Sequence, residues 1–512
     1  MTLQEKIGQR LMTGFPGTEM NEEFRQVIKT HKIGNVILFR ENVQNCEQLK
    51  RLCREIQELI RTETGHSAFI AIDQEGGIVT RLQEDGVNVP GAMALGATGD
   101  PEAAYEAGKL IGRELRSLGP NFNFAPTVDV NSNAQNPVIG TRSYGDDPHA
   151  VGAFAAQSVR GLLEGGVLCT AKHFPGHGDT DLDSHLALPC VDKPMEELEK
   201  VELVPFKAAI DAGVTAVMTA HILFPQIEPD PIPATMSRRI MKGILRDKLG
   251  FQGIIVSDCM EMAAIRSHYG VSNGTLAAFK AGVDLVEITH HPLWCAEAAD
   301  HILAAAEAGE LDMTEMDESV NRILEAKRRW IDEMEGCDFD FTAGAEQSRL
   351  LMERTITEVS VPAVPVELNH PLCIGCPPYR VSLVGNVEGL PSNPFGTQMA
   401  RELDGVCADM SREPEADEIA ALVTQAQKQG SAVVGTFNAM VHSGQLDLVR
   451  ALADKGIPTA VVALRSPYDL RNLPESVWSI AAYEYSAESI RAVAKVLRGE
   501  LKTTAKLPVK LC

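Results

Sequence analysis

Ionisable residues are concentrated in one stretch, residues 172–189, which reads KHFPGHGDTDLDSHLALP. Histidine and aspartate side chains can transfer protons, and the same groups can also bind metal ions. The apolar run GVLCTA directly precedes the stretch, so we expect a buried strand to end near Lys172 and His173, and a loop to begin there. The sequence therefore places the chemistry of the protein in this loop.

The first 335 residues or so alternate short apolar runs with longer amphipathic segments. This alternation is typical of a parallel sheet with crossover helices. Eight runs are predicted to be strands, namely 8–14, 33–39, 68–72, 122–125, 166–171, 216–220, 253–256 and 283–288. Because eight is the number of strands that closes a (β/α)8 barrel, we expect a TIM-like barrel.

Polar residues directly follow several of these predicted strands. In a (β/α)8 barrel the carboxyl ends of all strands meet at one mouth, where such barrels carry out chemistry. The residues concerned are Asp73, Asp129, Lys172, His173, His221 and Asp258. The sequence thus predicts that five strand ends point at one pocket.

A second alternation of strands and helices begins after a linker-like stretch. The segments RVSLVGNVE, SAVVGTFNAM, PTAVVALRSP and WSIAAYEY are predicted to be its buried strands. We therefore expect a barrel over residues 1–337, a linker over 338–366 and a smaller αβα sandwich over 367–512. Neither G-x-G-x-x-G after the first strand of the sandwich nor G-x-x-x-x-G-K-[ST] anywhere occurs, so nucleotide binding has no support.

The composition narrows the class of protein. The 512 residues carry a net charge of −23, which argues against a nucleic acid or an anionic membrane as partner. No apolar run is long enough to span a bilayer, and the N-terminus does not resemble a signal peptide, so we expect a cytoplasmic protein. The eleven cysteines are scattered singly and suit reduced thiols. The one C-x-x-C pair, Cys373 and Cys376, is interpreted as buried small hydrophobes rather than a zinc or redox site.

Five segments, IAIDQEGGIVTR, NFAPTVDV, IGTRSYG, KHFPGHGDT with DSH, and SDCMEM, together resemble glycoside hydrolase family 3. They are most similar to its cytoplasmic bacterial β-N-acetylglucosaminidases, which cleave muropeptides. The resemblance implies a small saccharide or muropeptide substrate with a terminal β-linked N-acetylglucosamine, and neither a cofactor nor a metal. The sequence makes no prediction of oligomeric state, of the aglycone, or of a contribution of the second domain to the active site.

The resemblance also assigns the reacting groups. Retaining cleavage needs a carboxylate nucleophile and a proton donor about 5 Å apart. Asp258, which follows the apolar strand GIIV, corresponds to the nucleophile. His185 corresponds to the general acid and base, and Asp183 would orient its imidazole and stabilise the charged form. Gly176 and Gly178 suggest a loop that closes to deliver the donor.

The remaining strand-end groups suit the binding of a sugar. The resemblance assigns Asp73, Arg142, Lys172 and His173 to the sugar subsite, and Arg81 to the aglycone side. His177, Asp129 and His221 are interpreted as structural residues that hold loops in place.

Other functions compete with this interpretation. Phosphorolysis on the same scaffold is the nearest alternative, because a histidine donor repels an incoming phosphate less than a carboxylate does. A metal-dependent hydrolase would use His173, His177, Asp179, Asp183 and His185, but their spacing fits no compact ligand set. A Schiff-base lyase at Lys172, substrate-assisted hydrolysis and a non-catalytic carbohydrate-binding protein are further alternatives.

Overall fold

The computed structural model describes residues 1–180, 188–379 and 393–511. Its larger sheet has eight parallel strands in the order β7-β6-β5-β4-β3-β2-β1-β8. They are β1 Leu11–Thr13, β2 Asn35–Leu38, β3 Phe69–Ile72, β4 Phe122–Asn123, β5 Leu168–Phe174, β6 Ala216–Thr219, β7 Ile254–Val256 and β8 Val286–Ile288. A parallel bridge between Val256 and Leu285 joins the two ends of the sheet. The sheet thus closes as the predicted barrel, and each predicted strand overlaps an observed one.

Helices surround the barrel and connect its strands. They are α1 Leu3–Gln9, α2 Glu22–His31, α3 Cys46–Thr64, α4 Ala92–Ala97, α5 Glu102–Leu118, α6 Pro148–Gly165, α7 Met195–Leu198, α8 Leu203–Asp211, α9 Ala263–Arg266, α10 Val271–Ala281, α11 Pro292–Glu307 and α12 Met313–Lys327. A segment of wide π-type turns, Arg239–Lys248, leads into β7. The termini of α6 show the local logic: the Asp147 side chain accepts the N–H of Ala150, Pro148 occupies the first turn, and Gly166 ends the helix at φ 91°.

The barrel strands are buried on both faces. Helices cover their outer face, while large side chains such as Phe69, Phe122 and Phe124 fill the interior. These three rings make edge-to-face contacts with centroids 5.1 and 5.2 Å apart. Burial on both faces explains why the strands are continuous apolar runs in the sequence rather than alternating ones. The packed interior leaves the mouth as the place for a ligand.

The smaller domain has a six-stranded sheet in the order β11-β10-β12-β13-β14-β9. Its strands are β9 Thr357–Ser360, β10 Leu372–Gly375, β11 Val406–Asp409, β12 Ala432–Thr436, β13 Thr459–Ala463 and β14 Trp478–Ala481. Its helices are α13 Phe341–Thr355, α14 Pro394–Glu402, α15 Ala416–Gln429, α16 Gly444–Asp454 and α17 Ala487–Leu497. All strand pairs are parallel except β14 with β9. Barrel followed by a smaller α/β domain is the predicted fold class, which is confirmed.

The segment predicted as a linker contains regular structure. It holds α13 and β9, and β9 pairs with the far edge of the second sheet. The two boundaries between the three predicted segments stay a prediction. The predicted strand RVSLVGNVE, residues 380–388, lies outside the described residues.

Cys373 and Cys376 lie in or directly after β10 and are buried in the core of the smaller domain. Burial raises the pKa of both thiols to about 12, so they stay protonated. This agrees with their interpretation as small hydrophobes. Among the described residues, no helix combines the length and apolarity needed to cross a membrane.

The second domain contacts loops at the mouth of the barrel. Tyr468 accepts a hydrogen bond from the side chain of Asn131 at 3.0 Å, and Glu484 accepts one from the backbone N–H of Gly91 at 3.2 Å. The C-terminal segment also pairs with the barrel, since the N–H of Lys506 donates to the carbonyl of Ala97. The smaller domain therefore supports the loops that follow β3 and β4.

Candidate active site

A cavity of about 560 Å³ opens at the carboxyl ends of the barrel strands. This volume is in the usual range for sites that enclose a small molecule. Six of the predicted site residues line it, namely Asp73, Arg81, Arg142, Lys172, His173 and Asp258. The described lining residues all belong to the barrel. The predicted convergence of strand ends on one pocket is therefore observed for β3, β5 and β7.

Four of these lining residues form ion pairs with one another or with Glu75, which is not itself among the lining residues, and we call Asp73, Glu75, Arg81, Arg142 and Lys172 the paired wall. The Lys172 ammonium lies 2.8 Å from an oxygen of Asp73 and 2.8 Å from an oxygen of Glu75. Arg142 donates two hydrogen bonds to Glu75, at 2.9 and 2.7 Å. Arg81 lies 3.4 Å from the second oxygen of Asp73. Lys172 thus joins two carboxylates, each of which also has an arginine.

Burial and charge act in opposite directions on the paired wall. Burial alone would raise the pKa of the Asp73 and Glu75 carboxyls, but the adjacent cations outweigh it and lower both. The same carboxylates raise the pKa of the Lys172 ammonium against burial. All three groups are therefore charged at neutral pH. A charged Lys172 is a hydrogen-bond donor and not a nucleophilic amine, which disfavours a Schiff-base lyase.

Asp129 holds the start of the histidine-rich loop. Its carboxylate lies 2.8 Å from Nδ1 of His173 and accepts backbone N–H groups from both His173 and His177. Asp129 is 1 % exposed and does not line the cavity. Burial and the neighbouring His173 lower the pKa of His177 to about 4, so this imidazole is neutral near pH 7. Asp129 therefore fixes the ring orientation of a cavity residue, as its structural interpretation predicts.

The opposite side of the cavity carries Asp258 and Glu287, which we call the acidic wall. Asp258 lies two residues after the end of β7, and one of its oxygens accepts the N–H of Cys259 at 2.7 Å. The Cys259 thiol lies 2.9 Å from the hydroxyl of Thr289, so this residue packs beside the aspartate. Short strand β7 thus places a partly exposed carboxylate at the mouth, where a sugar can reach it.

Glu287 lies within β8 and is 2 % exposed. Burial together with the nearby carboxylates Asp258 and Asp73 raises the pKa of Glu287 well above the ordinary value of 4.5. The acidic wall thus pairs one carboxylate with a carboxyl group that keeps its proton. Sequence reasoning missed Glu287 because it examined residues after strands and not within them.

The predicted donor His185 and its partner Asp183 lie outside the described residues. The segments on either side of them are firmly attached. The Lys193 ammonium lies 2.7 Å from Asp179, which precedes the gap, and 2.7 Å from the buried Glu202. Pro189 accepts the N–H of Leu223 at 2.9 Å. The loop that carries the predicted donor is thus anchored on both sides.

The two glycines of the loop have a packing role. A Cβ on Gly178 would lie 1.7 Å from the carbonyl oxygen of Val130, and one on Gly176 would lie 2.6 Å from the Glu202 side chain. Gly176 also has φ +140°, which side chains rarely allow. These glycines permit close approach of the backbone. Closure of the loop to deliver the donor stays a hypothesis.

Two of the predicted strand-end groups, Asp129 and His221, do not line the cavity. His221 is fully buried between the hydroxyl of Thr235, 2.8 Å from its Nδ1, and the carbonyl of Cys259, 2.9 Å from its Nε2. Both residues support neighbouring loops.

The sequence analysis missed Glu75, although it lies in the quoted segment IAIDQEGG two residues after Asp73. A carboxylate so close to a predicted ligand was the available signal.

The sequence model of the family "Glycosyl hydrolase family 3 N terminal domain" matches residues 2–326. The chain therefore belongs to glycosyl hydrolase family 3. The resemblance predicted from the motifs is confirmed, and so is the prediction of a glycoside hydrolase.

Relatives and solved structures agree with this assignment. A β-hexosaminidase A of Pseudoalteromonas piscicida is 31 % identical over 99 % of this chain and 97 % of its own length. A β-hexosaminidase of Xylella fastidiosa is 37 % identical over 55 % of this chain and 84 % of its own. A solved family 3 β-N-acetylglucosaminidase from Paenibacillus sp. has a TM-score of 0.92 and 39 % identity, covering 100 % of this chain and 99 % of that one. These relatives are named for the kind of activity that the motifs predict for this chain.

Proposed function

We propose that the protein is a retaining β-N-acetylglucosaminidase that removes terminal β-linked N-acetylglucosamine through a covalent glycosyl-aspartate. The observation that carries the proposal is the position of Asp258 in one cavity with Lys172, Asp73 and His173. A carboxylate facing a set of hydrogen-bonding groups suits attack on the anomeric carbon of a bound sugar. The names of the relatives supply the identity of the sugar.

In this proposal Asp258 forms the glycosyl ester and is later released by water. Asp73 accepts hydrogen bonds from sugar hydroxyls, while Lys172 and His173 donate to them. Arg142 contributes chiefly by holding Glu75, since two of its N–H groups bind that carboxylate. Arg81 serves the aglycone side.

His185 is proposed as the general acid and then the general base, with Asp183 as the residue that orients it. Support comes from the contacts of Lys193 with Asp179 and of Pro189 with Leu223, which hold the described residues on either side of this segment. A histidine suits this role because its pKa lies near neutrality, so it can both donate and accept a proton.

A muropeptide carrying terminal N-acetylglucosamine is the proposed natural substrate, and the cytoplasm the proposed location. Arg81, which the resemblance assigns to the aglycone side, supports this choice, because its cation would attract an acidic peptide or lactyl group. Enzyme turnover of purified muropeptides, followed by mass spectrometry of the released sugar, tests the substrate directly.

Turnover of 4-nitrophenyl β-N-acetylglucosaminide is the main test, compared with the matching β-glucoside, with and without phosphate. We expect preference for the N-acetyl substrate, release of the β-anomer first, and no sugar 1-phosphate. Formation of sugar 1-phosphate in phosphate buffer would mean that the enzyme catalyses phosphorolysis rather than hydrolysis.

Labelling with a 5-fluoro N-acetylglucosaminyl fluoride should attach the sugar to Asp258, located by peptide mass spectrometry. Asp258→Asn should lose at least about 10³-fold in kcat/KM, as expected for removal of a nucleophile. Activity retained by this variant would refute the assignment.

A further inference from the structure

Glu287 is a carboxyl group in the cavity that the proposed reaction does not use. It lines the cavity with Asp258 and Asp73 although it is 2 % exposed. Its backbone is tied to the segment that carries the nucleophile, because its N–H donates to the Ser257 hydroxyl at 3.0 Å and its carbonyl accepts the N–H of Met260 at 2.9 Å. Glu287 is therefore held in register with residues on both sides of Asp258.

One oxygen of Glu287 lacks a partner. Its Oε1 is fully buried, and no hydrogen-bonding group among the described residues reaches it. Burying a polar atom without a partner costs free energy, so such an atom in a binding cavity calls for a ligand that completes it. A sugar, with several hydroxyl groups, can do this.

The groups around Glu287 determine whether it donates or accepts. Asp258 and Cys259 face it from the end of β7, Asp73 from the end of β3 and Lys172 from β5. Strand β1, its other neighbour, contributes no ionisable side chain. Burial and the two carboxylates raise the pKa of Glu287 more than Lys172 lowers it. The carboxyl therefore keeps its proton near neutral pH.

We propose that Glu287 is a further substrate-contacting residue, whose carboxyl group donates a hydrogen bond to the sugar bound beside Asp258. This rests on the proposed function and adds to it a donor on the side of the cavity opposite the paired wall. A neutral donor can contact the sugar without adding a second negative charge next to a nucleophile that must remain anionic. Glutamine, a neutral donor of the same shape, should replace it, whereas leucine should not.

The test uses 2,4-dinitrophenyl β-N-acetylglucosaminide, whose leaving group needs no proton, so that the general acid does not shape the pH profile. At pH 6 we expect Glu287→Leu to lose about 10- to 100-fold in kcat/KM, as for one buried hydrogen bond. Glu287→Gln should stay within about threefold. At alkaline pH the kcat/KM of the wild type should fall as Glu287 ionises, whereas the kcat/KM of Glu287→Gln should stay unchanged.

Glu114 offers a matched control. It is also buried, has one unpartnered oxygen within the described structure, and its pKa is raised to about 8, but it lies on α5 away from the cavity. Glu114→Gln should keep the wild-type pH profile. If the wild-type and Glu287→Gln profiles coincide, or if folded Glu287→Leu keeps its kcat/KM within twofold, the inference is wrong.

Infrared difference spectra give a readout that does not depend on turnover. The carbonyl band of a protonated carboxylic acid should shift when N-acetylglucosamine binds the wild-type protein, and this shift should be missing from the difference spectrum of Glu287→Gln. An unchanged band on binding would overturn the inference. A wild type that binds the sugar with the expected shift yet fails to hydrolyse the substrate would instead contradict the proposed function.

Discussion

The two walls of the cavity manage buried charge in opposite ways. On the paired wall, carboxylates and cations lie within 2.7 to 3.4 Å of each other, so every charge has a partner. On the acidic wall, burial and the nearby carboxylates Asp258 and Asp73 raise the pKa of Glu287, which therefore keeps its proton. Pairing and neutralisation are two solutions to the same cost of burying a charge.

The difference concerns the charge of these two walls alone, since Arg40, Glu41, Glu261 and Arg266 also line the cavity. Two carboxylates against three cations leave the paired wall with one positive charge. Asp258 supplies one negative charge across the cavity, and a neutral Glu287 leaves that balance intact. The predictions below perturb one wall at a time.

Glu75→Gln should have the largest effect on stability, because it removes the acceptor that Lys172 and Arg142 share and leaves two excess cations buried. Breaking a buried ion pair from one side costs about 3–5 kcal/mol. We also expect kcat/KM to fall about 100-fold, since Lys172 loses its position. Urea unfolding and steady-state kinetics measure the two effects.

The exposed pair Lys109 and Glu164, 2.7 Å apart, provides the control for this variant. Glu164→Gln should leave stability almost unchanged, because solvent and salt screen exposed pairs. Equal effects of the two substitutions would show that the paired wall gains nothing from burial.

Lys172→Met should destabilise less, by about 2 kcal/mol, as for the loss of hydrogen bonds to a charged group. Each carboxylate keeps an arginine, and the paired wall becomes neutral rather than more positive. Urea unfolding compared with Glu75→Gln measures the difference. A loss as large as that of Glu75→Gln would mean that the arginines do not share the charge.

The sequence predicts individual site residues better than it predicts which of them contact each other. Asp73, Lys172 and Asp258 were found because each follows an apolar run that had to be a buried strand. The ion pair between Lys172 and Asp73 was not predicted, because these residues are 99 positions apart in the sequence and only closure of the barrel brings them together. Strand β9 was missed for a similar reason, because its antiparallel pairing with β14 depends on a distant part of the chain.

Glu287 shows a limit of a different kind. Two acids, Asp284 and Glu287, stand in the segment VDLVEI, and an acid within a strand buried on both faces is unusual. The protonation of Glu287 depends on Asp258 and Asp73, which come from other strands. The local sequence therefore shows that such a residue is unusual, but its protonation state depends on the folded site.

The two walls should also respond to pH with opposite sign. The unfolded chain releases the Glu287 proton above about pH 4.5, whereas the folded protein keeps it, so this group lowers the free energy of unfolding as pH rises toward its folded pKa. The slope is about 1.4 kcal/mol per pH unit. Glu75 and Asp73, whose pKa values are lowered, instead lose stability as pH falls below their ordinary range.

Glu287→Gln should therefore become steadily more stable relative to the wild type between pH 5 and pH 8, as measured by urea unfolding at each pH. Glu114→Gln should show the same sign up to about pH 8, where the Glu114 pKa lies, and no further change above it. Parallel stability curves for wild type and Glu287→Gln would mean that Glu287 ionises in the folded protein.

The smallest effect is expected at the base of the donor loop, where Asp179 is about one-third exposed and shares Lys193 with the buried Glu202. Asp179→Asn leaves the inner pair intact, so stability should change by less than about 1 kcal/mol. If this contact helps to fix the segment that carries His185, kcat/KM, which reports formation of the glycosyl-enzyme, should fall a few-fold for a substrate that needs a proton donor. It should not fall for the 2,4-dinitrophenyl substrate, because that leaving group departs without one. Equal losses with both substrates would place the effect of Asp179 on the walls of the cavity rather than on the loop.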